Sequence, residues 1–221
     1  MRYIDELCER KDILKNIKQD IVDAYKTIVE AYRIGNKLLI CGNGGSAADS
    51  AHITGELVKA FKKKREIDEK FEERLKNAIE DYLDKNSSTA DTRFLLKEMK
   101  DMLEPGLPTI DLTAFNSANS AFGNDKNWIY AYANGVLALG KQNDVLIAIS
   151  TSGNSKNIVN AALVAKAQGI KVIALSGFNG GKLRDIADIS IVVPINETYL
   201  IQEEHISIYH AICLDIEEEF F

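Results

Sequence analysis

Five short, mostly apolar runs punctuate the chain: KLLICG (37–42), PTIDLT (108–113), DVLIAIS (144–150), KVIALS (171–176) and DISIVVP (188–194). Each is too short for a stable helix, and the pattern suits strands buried on both faces of a parallel sheet. Between them lie stretches with helical spacing. SAADSAHITGELVKAF opens at Ser46, WIYAYANGVLAL covers 128–139, a third helix follows Ser155 through Ala167, and a last one runs from about Glu197 to Glu219. Strands alternating with helices predict parallel βαβ units, and so an α/β fold: a doubly wound parallel sheet flanked by helices in three layers, flavodoxin-like. No internal repeat competes with that pattern. Residues 1–221 therefore read as one domain, of a size that a single core can serve.

Two segments stand outside the rhythm. Ahead of the first strand, Leu14, Ile17, Ile21, Tyr25, Ile28 and Tyr32 recur at threes and fours, and Gly35-Asn36 supplies a stop. Val22 and Val29 widen the stripe. A helix over about 12–34 with so broad an apolar face is expected to be an oligomer contact, packing inside the protomer being the alternative. Residues 62–103 are highly charged and carry no strand signal. Phe71, Leu75, Ile79 and Leu83 fall four apart, Phe94, Leu95, Met99 and Leu103 form a second stripe, and 86–89 is a polar turn. The spacing predicts a helical hairpin inserted between two sheet units, either a solvated excursion or else a lid or partner surface.

Charge and cysteine usage exclude some classes of function. A formal net charge of −6 does not suit a nucleic-acid binder, which presents a basic face. No apolar run approaches the length of a membrane span, and the N-terminus lacks a signal-peptide core. Cys8, Cys41 and Cys213 are odd in number and scattered, which argues against a disulfide framework and fits a reducing cytoplasm.

Chemistry concentrates in two loops and two helices. CGNGGS (41–46) and STSGNS (150–155) each follow an apolar strand and open a helix. Glycines let backbone approach a ligand, N–H groups at a helix start face an anion, and Ser/Thr hydroxyls add uncharged donors. An acidic chain can hold a phosphate this way without a lysine. Neither loop matches the nucleotide motifs GxxxxGK[ST] or GxGxxG. The chain has three histidines. His52 and Glu56 are four apart on the helix leaving the first loop and share a face, while Gln202 and His210 are eight apart, about two turns, on the last helix. Two imidazoles, a carboxylate and an amide oxygen can ligate a divalent metal such as zinc, and the same Glu and His can pass a proton between sugar carbons. His205 points away from His210 and reads as structural.

CGNGGSAADSAHITGEL, AFGND, AISTSGNS, ALSGFNGGKLRDIAD and IQEEHISIYH, in that order, resemble the phosphoheptose (sedoheptulose 7-phosphate) isomerase branch of the sugar-isomerase domain family. The likeness spans nearly the whole chain apart from the hairpin. It implies a homotetramer with sites between subunits and a zinc-dependent aldose–ketose isomerisation. By motif, Asn43, Gly44 and Gly45 would touch substrate, Asn124 and Asp125 the sugar, and Ser150, Thr151, Ser152 and Ser155 the phosphate. His52, Glu56, Gln202 and His210 would be metal ligands, with Glu56 and Gln202 also reaching substrate and Glu56 and His210 acting as acid and base. Tyr199 departs from the pattern, since a smaller or acidic residue is expected three positions before Gln202.

Two other classes resemble the same domain: a tetrameric scaffold that binds a replication initiator, and a sugar-phosphate sensor fused to a helix-turn-helix. A scaffold has no need of an acid/base set, and the chain has no room for the appended module.

Overall fold

The computed structural model describes residues 1–83 and 89–221. Its centre is a five-stranded, wholly parallel sheet of β1 (Leu38–Cys41), β2 (Thr109–Asp111), β3 (Val145–Ile149), β4 (Lys171–Gly177) and β5 (Ile189–Val193), in the order β2-β1-β3-β4-β5. Register is continuous across the middle, with Leu38 opposite Val145 and Val145 opposite Lys171. The chain winds outward from β1 to β2, then crosses back to β3 and continues to β5. The strand order therefore reverses between β1 and β3, where open sheets of this kind place their ligands.

Side-chain alternation divides the core into two layers. Leu38, Ile40, Val145, Ile147, Ile149, Ile173 and Leu175 pack toward α1 (Arg2–Arg10), α2 (Lys18–Arg33), α3 (Gly45–Val58) and α10 (Thr198–Phe220). Leu39, Cys41, Leu146, Ala148, Val172 and Ala174 face α7 (Ala131–Leu139), α8 (Lys156–Ala167) and α9 (Gly181–Ile186). The small Ala161, Ala162 and Ala165 let α8 lie close on the sheet. All three cysteines are free and buried, and burial pushes the Cys41 thiol up to about 12.

The N-terminal region corrects the sequence reading twice. A separate helix, α1, precedes the expected one, and Asp12–Ile17 is a 3-10 turn before α2 begins at Lys18. The broad stripe of Leu14, Ile21, Val22, Tyr25, Ile28, Val29 and Tyr32 is buried within the protomer. A stripe this wide covers two neighbours at once, the sheet and α10. It is used up before any second copy arrives, so it no longer argues for an oligomer contact.

The charged insertion forms α4 (Glu69–Tyr82) and α5 (Thr89–Met102), which pack on each other. Ile79 is buried, Leu75, Leu95 and Met99 are half-buried, and Phe71 and Phe94 are exposed. The expected turn at 86–89 falls largely on residues outside those described. The hairpin starts later than its charge pattern suggests, because Phe61, Lys62, Lys63 and Arg65 are tied to the end of α10. Glu217 accepts hydrogen bonds from the backbone N–H of Phe61 (2.8 Å), Lys62 (2.9 Å) and Lys63 (3.0 Å) and pairs with the fully buried Arg65. Arg65 in turn donates to the carbonyls of Glu56 (3.1 Å) and Leu57 (2.9 Å), capping the last turn of α3. Burial acts to raise the Glu217 carboxyl, but those three N–H groups and Arg65 outweigh it and hold it below the usual range.

A further helix, α6 (Asn116–Phe122), and a 3-10 turn at Trp128–Tyr130 precede α7, where the sequence suggests one helix from 128. No helix among the described residues is long and apolar enough to cross a membrane.

Candidate active site

The two glycine-rich loops leave adjacent parallel strands, β1 and β3, and end side by side at the switch point. Asn43 in the first and Asn157 at the start of α8 lock them together, each amide donating to the other's carbonyl oxygen (2.9 and 2.8 Å). Asn157 drew no notice in the sequence, because only the strand order brings residues 114 positions apart into contact.

The second loop is held in shape from behind. Gly153 has φ +65, and a Cβ there would sit 1.8 Å from the Gly180 carbonyl oxygen. Only glycine fits such a left-handed position pressed against backbone. Leu183 N–H donates to Gly153 O (3.0 Å), Lys182 N–H to Asn154 Oδ1 (3.2 Å), and Gly177 N–H to Thr151 O (2.9 Å). The Gly180-Gly181 turn is thus the brace of the STSGNS loop. Within that loop Ser150 Oγ lies 3.0 Å from Ser155 Oγ, and Ser152 Oγ accepts from Asn154 N–H (3.2 Å).

About two turns along the helix that the first loop opens, His52 and Glu56 of α3 meet His210 of α10. His52 Nε2 is 3.1 Å from Glu56 Oε1 and 3.5 Å from His210 Nε2. The imidazole rings of His52 and His210 meet edge to face at 4.9 Å, and Phe61 packs against His210 at 5.3 Å. Lys59 Nζ approaches the other Glu56 oxygen at 3.3 Å. Burial, then the neighbouring His52, lowers the His210 pKa while Glu56 opposes them, so His210 is neutral near neutral pH.

Gln202 does not join this trio. Its amide lies against Gly45, where a Cβ would fall 2.2 Å from Nε2. It therefore serves the first loop, about two helical turns from His210. α3 and α10 run side by side here, Gly45 facing Gln202 and His52 facing His210, so the expected four-ligand set divides into a trio and a loop-facing amide. Asn124 donates to Asp125 (3.0 Å) in the exposed turn after α6. Tyr199 is exposed at the start of α10.

These contacts bear on whether the residues suit a metal. Tetrahedral zinc with bonds of 2.0–2.1 Å sets its ligand atoms about 3.3 Å apart, and 3.1 and 3.5 Å bracket that spacing. Moreover, His52 meets both neighbours through one atom, Nε2. A single N–H there can serve only one of two acceptors, whereas a shared cation satisfies all three. The donor set fits. It is not a finished centre, since no group of three or more His, Cys, Asp or Glu among the described residues is arranged to hold a metal ion, and His52 Nε2 stands in hydrogen-bond contact instead.

Comparison with known proteins shows the family of this fold. A family profile described as "SIS domain" matches residues 2–90 and 99–177. The chain belongs to the SIS domain family. A phosphoheptose isomerase of Aliarcobacter butzleri is 37% identical over 94% of this chain and 89% of its own. The structure of phosphoheptose isomerase GmhA from Neisseria gonorrhoeae superposes with a TM-score of 0.72 at 29% identity, covering 98% of this chain and 96% of that one. One from Francisella tularensis gives 0.70 at 31% identity, over 90% and 86%.

In this SIS domain two further residues support the trio without any motif to announce them. Tyr209 OH lies 2.9 Å from His52 Nδ1 and donates to Asp49 Oδ1 at 3.4 Å. The sequence held a weak signal for Asp49, which stands one turn before His52 on α3. For Tyr209 the signal was its place beside His210, but an apolar-flanked tyrosine on a helix reads as core. His205 is wholly buried, its Nε2 3.2 Å from the Ser176 carbonyl oxygen, in a structural setting.

Proposed function

We propose that the chain is a phosphoheptose-type isomerase that interconverts sedoheptulose 7-phosphate and the corresponding aldose, glycero-manno-heptose 7-phosphate. The observation that carries this reading is the meeting of His52, Glu56 and His210 beside two braced Ser/Gly loops at the sheet's switch point. The relatives named phosphoheptose isomerase support the choice of sugar.

The phosphate sits at the STSGNS loop, taken by the hydroxyls of Ser150, Thr151, Ser152 and Ser155 and by free N–H groups at the start of α8. Asn43, Gly44, Gly45 and the Gln202 amide contact the chain of the sugar, with Asn124 and Asp125 at the rim. Anchoring at the phosphate orients the far end of the molecule and lowers the entropic part of the barrier. Glu56 removes the proton from the carbon next to the carbonyl, and neutral His210 serves the oxygens as the enediol forms and collapses. Return of the proton to the adjacent carbon completes the isomerisation. His52, Glu56 and His210 would hold a zinc ion, which when bound supplies polarisation of the carbonyl.

The chain works as a homotetramer in a reducing cytoplasm. With the N-terminal stripe consumed, support for assembly comes from apolar side chains left exposed around α6 and α7: Phe115, Trp128, Tyr130 and Leu137.

The decisive experiment incubates the protein with sedoheptulose 7-phosphate and a panel of other ketose phosphates, with and without chelator. Aldose product is expected from the heptulose, reduced by chelation, and Glu56→Gln should lower kcat by about 10²-fold or more. No product from any ketose phosphate overturns the reading.

A further inference from the structure

α3 stops within a turn of Glu56, and the way it stops is built. In a continuing helix the Glu56 carbonyl would take the Ala60 N–H and the Leu57 carbonyl the Phe61 N–H. Both N–H groups are drawn elsewhere. Ala60 donates to Glu104 Oε2 (3.0 Å) on the returning arm of the hairpin, and Phe61 to Glu217 Oε1 (2.8 Å) on α10. One guanidinium takes the two carbonyls left over: Arg65 Nη2 donates to Glu56 O (3.1 Å) and Nη1 to Leu57 O (2.9 Å). Its other donors go to Glu217 Oε1, from Nε (3.1 Å) and Nη2 (2.9 Å), and to the Pro105 carbonyl (3.4 Å). All five N–H groups of the side chain are thereby used. The side chain is wholly buried, and its face lies 4.4 Å from the centre of the Phe221 ring.

Stability alone is a poor reason for such a group, since well-packed apolar residues often replace a buried ion pair without loss. What an apolar side chain cannot do is donate to two carbonyls. Lysine, a point charge without the planar fork, cannot serve both carbonyls and Glu217 together. We infer that Arg65 is a positioning residue for Glu56: braced by Glu217, its fork sets the last turn of α3 and so the point from which the Glu56 side chain reaches the site. The effect on rate rests on the proposed role of Glu56, whereas the hold on the turn does not. A misplacement of about 1 Å at a reacting group costs about 10²-fold, so a loosened turn is felt in kcat. None of the hydrogen bonds of Arg65 goes to the STSGNS loop, so the grip on phosphate, and with it KM, is left alone.

The test compares Arg65→Met with the double variant Arg65→Met/Glu217→Gln. The single change leaves a buried carboxylate without its counter-charge. The double change removes both charges and keeps an amide oxygen as acceptor for the N–H groups of 61–63. Each is assayed with sedoheptulose 7-phosphate at a temperature where it is folded, beside its denaturation midpoint. The double variant should regain most of the midpoint that the single one loses, yet both should show kcat lowered by about 10²-fold at nearly unchanged KM. A double variant whose kcat recovers along with its midpoint overturns the inference. Should neither fold, Arg65→Lys keeps the charge and loses the fork; a lowered kcat at parental KM supports the inference, and parental kcat overturns it. Hydrogen exchange read by mass spectrometry gives a measure independent of turnover. Exchange should quicken over the last turn of α3 in the folded variants and stay unchanged over 150–155; equal exchange in that turn overturns the inference. If the unaltered chain turns over no ketose phosphate the isomerase reading falls, while faster exchange confined to that turn still supports the hold of Arg65 on it.

Discussion

Chemically similar residues take opposite parts in this molecule according to what surrounds them. His52 and His210 face a shared space, while His205, on the same helix as His210, is sealed against the Ser176 carbonyl. Burial lowers the His205 pKa from 6.5 to about 4, the hydrogen bond to Ser176 only partly opposing it. The unfolded chain therefore binds a proton there that the folded chain refuses, over the window from about 6.5 down to about 4. Stability carried by neutral His205 is intact above that window and drains away as pH falls through it, by up to about 3 kcal/mol at 1.36 kcal/mol per pH unit. Chemical denaturation of His205→Gln, which keeps a donor near the Nε2 position, should show a shallower loss of stability between pH 7 and 5 than the parent. An equal slope would place the acid sensitivity elsewhere.

Among the elements, the loops depend on partners remote in sequence. STSGNS is presented to solvent by β3 and α8, but its shape is imposed by the Gly180-Gly181 turn after β4. Gly153→Ala puts a methyl group into the Gly180 carbonyl at a φ that alanine disfavours. The change should cost about 1–3 kcal/mol of stability and abolish measurable binding of inorganic phosphate by calorimetry. Normal phosphate binding in a folded Gly153→Ala protein would move the anion site away from this loop. At the other end of α3, Arg65 is held by Glu217 and caps the turn that carries Glu56. Arg65→Met removes the counter-charge of the buried Glu217 carboxylate, which keeps its three backbone N–H donors, and should destabilise the protein by about 3 kcal/mol, read as a lower denaturation midpoint at unchanged slope.

On the scale of the whole molecule, the hairpin of α4 and α5 is joined to α3, the helix that carries Glu56, through that same clamp. It leaves Phe94, Tyr82 and Met102 largely exposed, as a segment does that meets little of its own protomer. Replacing residues 66–103 with a short Gly-Ser linker keeps Arg65 and its bonds. If the hairpin closes over the sugar, the shortened chain keeps the parent's state of assembly by light scattering and loses catalytic efficiency or accepts more sugars, because water and competing substrates reach the enediol. Unaltered efficiency and preference would make the hairpin an ornament.

The strand–helix alternation, the two glycine loops and the His52–Glu56 pair were all legible in the sequence, because each is a local matter: period, turn chemistry, and residues one turn apart on a helix. The departure of Gln202 from the trio was not, since eight residues along a helix fix an angle but not the neighbour an amide chooses. Nor was the fate of the stripe from Leu14 to Tyr32. An apolar face reports that it must be covered and says nothing about what covers it, and here the covering is α10, some 190 residues downstream. The Asn43–Asn157 bridge, the Arg65–Glu217 clamp and the Asp49–Tyr209 contact join residues 114, 152 and 160 apart. Contacts across such separations exist only once the sheet has ordered its strands and α10 has crossed α3. Tertiary structure alone decided them, because their energy comes from burial that no single segment can provide.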